Sequence, residues 1–106
     1  MEAQPVHEHV IRIVRLTLAP ERLDDFMYMF NNIKSQIRAT AGCLHLELLQ
    51  DTRFPNIVTT YSHWDNESAL DAYRDSAFFK EVWPATKDMF AAPPVAFSSR
   101  QIQVLP

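Results

Sequence analysis

The chain has 106 residues, 47% of them hydrophobic, and a formal net charge of -3, which suits one domain with one ordinary core and excludes a disordered chain. It has no Lys/Arg block for a nucleic-acid surface and no apolar run near the ~20 residues that span a membrane. Its single glycine, Gly42, excludes the Walker-type loop and the dinucleotide fingerprint, which need several glycines to bring backbone N–H groups against phosphate. A flavin held without such a motif stays open.

Residues 1–8 carry Glu2 and Glu8 and no apolar core, and are expected to be a tail rather than a signal peptide. The domain is expected over residues 9–106. His9 to Leu18 reads as the first strand, with Ile11 and Ile13 on one face and Val10, Val14 and Leu16 on the other, Arg12 among them. Pro20 suits the first position of a helix, and Glu21, Asp24 and Asp25 favour its positive end. Leu23, Phe26, Met27, Phe30, Ile33 and Ile37 recur at helical spacing until Gly42 stops the helix.

Cys43 to Gln50 alternates with a period of two, Asp51 to Asn56 turns the chain, and Ile57 to Trp64 is a third strand. Thr60 and Trp64 share one face of it, Tyr61 and His63 the other. Asp65 or Asn66 caps a second helix, and Ser76 looks like a fresh cap that breaks it. Pro84 is expected to shift or end the next segment, Ala85 to Phe90 to form one more turn, and Val95 to Val104 to form the last strand. The order predicts an α+β, ferredoxin-like βαββαβ fold with a four-stranded antiparallel sheet. Strands one and three are apolar or aromatic on both faces. A monomer would leave more apolar surface bare than is usual, so a homodimer packed sheet to sheet is expected.

Aromatic side chains gather after the third strand. Trp64, Tyr73, Phe78, Phe79 and Trp83 can line a cleft between helices and sheet, although aromatics at helical spacing are more often plain core. Of the four histidines, His7 and His9 form an H-x-H, while His45 and His63 sit in strands two and three. Either of the latter pair has the titration range of a general base, although a surface or interface histidine is the plainer reading. A metal site needs at least three placed ligands, and none is expected. Arg12 is suited to hold an anionic oxygen, or to pair with Glu47 across the sheet. Cys43 cannot form an internal disulfide, which fits a reducing cytoplasm; it reads as a buried structural thiol, with His45 two residues on and expected on the same face.

Ala41-Gly42-Cys43, Leu46-Glu47-Leu48-Leu49, Pro55-Asn56, Trp64, Ala69-Leu70 and the Y-x-x-S-x-x-F of Tyr73, Ser76 and Phe79 occur in an order that resembles the antibiotic biosynthesis monooxygenase domain, over roughly Val10 to Ile102. The resemblance implies a dimeric α+β barrel and, for some members, oxygenation of polyphenols or quinols without a cofactor. It equates Trp64 with the family's pocket tryptophan. Where an oxygenase member has asparagine four residues earlier, this chain has Thr60. Haem-degrading relatives carry a ligating histidine where Trp83 aligns, and an asparagine in strand one that is absent here, so haem degradation is not expected.

The expectation is therefore a cofactor-independent monooxygenase of a small phenolic or quinol-type aromatic substrate. Trp64, Tyr73 and His63 are the candidate catalytic residues. Arg12, Thr60, Phe79, Trp83 and His45 are candidates for substrate contact. The alternatives are a small-metabolite isomerase using His45 or His63 as base, and a binding dimer without catalysis. Tight packing of Trp64, Tyr73 and Trp83 with no cavity between them would favour the last.

Overall fold

The computed structural model describes residues 9–106. The expected tail over residues 1–8, His7 included, lies outside the described residues. Strand β1 (Val10–Thr17) leads through one 3-10 turn (Pro20–Arg22) into α1 (Leu23–Arg38); β2 (Cys43–Gln50) and β3 (Ile57–Trp64) follow, then α2 (Glu67–Arg74), α3 (Ala77–Lys87) and β4 (Val95–Ser99). The four strands form one antiparallel sheet in the order β2-β3-β1-β4. This is the expected ferredoxin-like arrangement.

The local signals act as their chemistry requires. Asp51 Oδ2 accepts from the backbone N–H groups of Arg53 (3.0 Å) and Phe54 (2.8 Å), which shapes the β2–β3 turn and holds that carboxyl below the usual range. Asn66 Oδ1 accepts from Ala69 N–H at 2.8 Å and Ser76 Oγ from Phe79 N–H at 3.1 Å, so α2 and α3 each start on a side-chain cap. Ser76 Oγ also donates to the Tyr73 carbonyl at 2.6 Å, tying the end of α2 to the start of α3.

Two expectations about element ends are corrected. Helix α3 runs through Pro84 to Lys87, so Pro84 does not end it and the turn expected after Pro84 belongs to the same helix. Only one intrahelical bond is lost, that to the carbonyl of Lys80, an exposed residue whose carbonyl water can satisfy. The last strand stops at Ser99 instead of Val104 because Ser99 already lies opposite Ile11, and β1 begins one residue earlier at Val10. Beyond Val10 no strand backbone remains to pair with among the described residues.

All helices pack on one face of the sheet. Leu16, Leu18, Phe26, Phe30 and Val58 bury there with Met89, each large side chain contributing about 1.5–3 kcal/mol. A second cluster joins Val10, Cys43, Trp64 and Leu70 under α2. The opposite face carries Ile13, Tyr61, His63 and Phe97 and has no covering layer among the described residues.

Candidate functional site

Between α1, the α2–α3 segment and the helix-side face of the sheet lies a cavity of about 610 Å³, within the range typical of small-molecule sites. Its floor is made by alternate residues of β1 and β3: Arg12, Val14, Leu16, Thr60, Ser62 and Trp64. Phe26, Met29, Phe30 and Ile33 of α1 form one side. Tyr73, Phe79, Val82 and Trp83 form the other.

Three aromatic contacts build that second wall. The Trp64 and Tyr73 rings stack with centroids 5.0 Å apart at 28°. Tyr73 meets Phe79 edge-on at 5.1 Å, and Phe79 stacks on Trp83 at 5.7 Å and 13°. The rings touch one another and still leave open volume beside them. The Ser76 junction makes this possible. It restarts the helix, so the ring of Tyr73 on α2 and those of Phe79 and Trp83 on α3 face one cavity.

Trp64 is 1% exposed, and its indole Nε1 donates to Ser62 Oγ at 3.0 Å, which fixes the ring plane. Burial pushes the Tyr73 phenol up to about 12, with a smaller contribution from Cys43, so near neutral pH it stays protonated and available to donate. Its hydroxyl has no hydrogen-bond partner among the described residues. Arg12 Nη1 donates to Ser98 Oγ at 3.1 Å. Burial, and then the charge of Arg74, pull the Arg12 guanidinium below its ordinary value, although arginine remains charged.

The candidates from sequence divide between two faces. Arg12, Thr60, Trp64, Tyr73, Phe79 and Trp83 line the cavity together. His45 and His63 do not: they lie on the open face of the sheet, ring centroids 5.1 Å apart, with Tyr61 5.2 Å from His63. Neither therefore stands in the cavity as the expected base or substrate contact. His63 is held below the usual imidazole value, first by burial and then by His45 and His9, and its buried Nε2 has no partner among the described residues.

Two further expectations are overturned by the register. A bulge between Cys43 and His45 inserts an extra residue opposite β3, so Cys43 packs with Trp64 while His45 turns to the other face. The thiol and imidazole are thus separated by the sheet, and burial pushes the Cys43 thiol up, away from nucleophilic character. Glu47 also lies on the open face, where its carboxylate meets His45 Nε2 at 2.5 Å, so it cannot pair with Arg12.

Sequence reading missed Ser62, Asp71, Arg74 and Asp75 in the lining. Ser62 was accessible from strand alternation with Thr60 and Trp64. Arg74 was signalled only by its i+4 spacing from the apolar Leu70.

The fold and cavity define a ferredoxin-like α+β domain with an aromatic-walled chamber between helices and sheet. The antibiotic biosynthesis monooxygenase family model matches residues 9–84, and the chain belongs to that family. Among solved structures, a conserved protein from Methanosarcina mazei Go1 is similar with a TM-score of 0.85 at 21% identity, over 91% of this chain and 95% of that one. Rv0793 from Mycobacterium tuberculosis is similar with a TM-score of 0.83 at 15% identity, over 92% and 99%. A protein named antibiotic biosynthesis monooxygenase has a TM-score of 0.80 at 18% identity, over 92% and 99%. At these identities the likeness is one of fold. No curated protein matches the chain in sequence. Among the described residues no helix is long and apolar enough to cross a membrane.

Proposed function

We propose that this protein is a monooxygenase that oxidises a small phenolic or quinol-type aromatic in its cavity without a cofactor. The carrying observation is the chamber of about 610 Å³, aromatic along one wall, with Arg12, Thr60 and Ser62 as polar groups of its floor. Its monooxygenase-family membership supports the same reaction class.

The reaction requires a ring hydroxyl to lose its proton, giving an anion that passes electrons to dioxygen. A peroxide then forms at a ring carbon and loses water. A quinol and dioxygen thus become a hydroxyquinone and water, one oxygen atom entering the product, with the electrons supplied by the substrate. Trp64 and Tyr73 hold the ring and exclude water. Arg12 and the Thr60 hydroxyl stabilise the anionic oxygen. Tyr73, kept protonated by burial, donates a hydrogen bond. Asp71 and Asp75 are the carboxylates of the lining, and in this reading they replace His63 as proton acceptors.

Oxygen uptake with a panel of hydroquinones in metal-free buffer tests the proposal. Enzyme-dependent uptake that drops at least about tenfold in Trp64→Phe is expected, an amount equal to the loss of one good transition-state contact. Panel compounds that bind and are never oxidised would sink it.

The working form is proposed to be a homodimer of the 9–106 domain, joined through the open sheet face, in the cytoplasm. Val95 and Phe97 are 54% and 46% exposed there, and the apolar tail residues Ile102, Val104 and Leu105 are still more exposed. The lone cysteine fits a reducing compartment. Light scattering is expected to give twice the chain mass; the single-chain mass would refute the dimer.

A further inference from the structure

Arg12 and Arg74 are the two cations of the cavity lining, and no carboxylate among the described residues forms an ion pair with either. Arg12 rises from the middle of β1, beside Ser62 of β3 and Ser98 of β4. The Ser98 hydroxyl is its one side-chain partner among the described residues. A guanidinium presents five N–H donors in a planar fork, so most of this donor capacity is unspent. It is also half-buried beneath helices, where an uncompensated charge is costly.

Arg74 closes α2 at the rim of the same cavity. Its charge bears on Arg12 and lowers the latter's proton affinity, behind the larger effect of burial. The charge of Arg74 opposes that of Arg12 across the chamber, and an anion between them relieves that repulsion. Asp71 and Asp75 are also at the rim, and neither is paired with these arginines. Of its neighbours in the floor, Ser62 turns its hydroxyl proton to the Arg12 carbonyl at 3.5 Å and Val14 has no donor, so the fork is the main donor group there. That setting suits a small planar anion that one fork can satisfy, rather than a phosphate needing donors all round.

We infer that the pocket takes an aromatic carboxylate, its carboxylate docked on the Arg12 fork with Arg74 facing it from the rim and its ring along Trp64 and Tyr73. This rests on the cavity being the substrate pocket proposed above. It adds the chemical class of the ligand and assigns Arg74 a role in specificity.

The test is anaerobic titration of tryptophan fluorescence with two matched probes, 1,4-dihydroxy-2-naphthoate and its neutral twin 1,4-dihydroxynaphthalene. The carboxylate is expected to bind at least about tenfold more tightly, the amount one charge-assisted hydrogen bond supplies. Arg12→Gln should bring the ratio of the two affinities to within about twofold of unity, whatever its effect on the neutral probe alone, and Arg12→Lys should restore part of the preference, because it keeps the charge without the fork. Arg74→Gln, on an exposed helix end, should weaken only the carboxylate probe and flatten its salt dependence. Equal affinity for the two probes in the wild type overturns the inference, as does an Arg12→Gln or Arg74→Gln variant that weakens both probes alike. Failure of both probes to bind overturns it together with the pocket reading. Discrimination without any oxygen uptake in air supports the anion site and overturns only the oxygenase.

Discussion

Replacing Gly42 with alanine should destabilise the protein by two separable mechanisms. Gly42 has a φ of +85° between α1 and β2, and a Cβ built on it would lie 2.4 Å from the Cβ of Ala69. Its carbonyl accepts from Asp65 N–H at 2.8 Å, so the start of β2 is held directly against the β3–α2 junction. A left-handed backbone costs a residue with a Cβ about 1–2 kcal/mol. Crowding against Ala69 adds about 1–3 kcal/mol. The sum, roughly 2–5 kcal/mol, corresponds to a fall in Tm on the order of 10–20 °C for a domain of this size. Urea unfolding of Gly42→Ala, Ala69→Gly and the double variant separates the two parts. Ala69→Gly alone costs about 1 kcal/mol as a helix glycine, but it removes the atom that the new methyl strikes. The double variant should therefore be more stable than additivity predicts by about 1–3 kcal/mol. A single-variant loss below about 1 kcal/mol, or strict additivity, would refute the reasoning. The same displacement would move α2, so Tyr73 should pull away from Trp64 and ligand affinity should fall with stability.

The remaining predictions concern three polar groups. Ser62→Ala strands the buried Trp64 indole N–H, at a cost of about 1–3 kcal/mol in urea unfolding; a loss under about 0.5 kcal/mol would show that the hydroxyl is dispensable. His63 is lowered by burial, so the unfolded chain binds more protons than the folded one, and stability should be full above the ordinary imidazole value and fall as pH drops through and below it. Denaturation midpoints at pH ~7 and ~5 should differ more for wild type than for His63→Phe, and equal differences would exclude His63 as the source. Tyr73→Phe should change the height of the oxygen-uptake pH profile and leave its limbs in place below about pH 10, since the phenol titrates near 12; loss of an alkaline limb there would show that Tyr73 ionises in the reaction.

Much of the fold was legible because its signals are local. Strict alternation bounded by Gly42, Asp51 and Pro55 located β2 and β3, and the side-chain oxygens of Asn66 and Ser76 marked the starts of α2 and α3. The errors arose where the deciding partner is distant in sequence. The end of β4 depends on where β1 begins. The course of α3 through Pro84 depends on whether the freed carbonyl meets water. The face of His45 depends on one inserted residue, which leaves the pattern of Leu44, Leu46 and Leu48 unchanged to the eye. The cavity itself is a spacing between α1 and the sheet, and no residue pattern encodes a volume.

That bulge also explains how one small sheet serves two purposes. Along β3, Thr60, Ser62 and Trp64 face the cavity while Thr59, Tyr61 and His63 face the open side. On β2 the same division holds only beyond His45, because Cys43 must still pack under α2 beside Trp64. Without the extra residue, strict alternation would put Cys43 and His45 on one side. Either the second core cluster would lose its thiol or an imidazole would enter the aromatic chamber. A one-residue slip exchanges the faces of a strand. The bulge confines that exchange to one position, so titratable imidazoles collect on the uncovered face, and the chamber keeps Arg12, Arg74 and the Asp71 and Asp75 carboxylates as its charged groups.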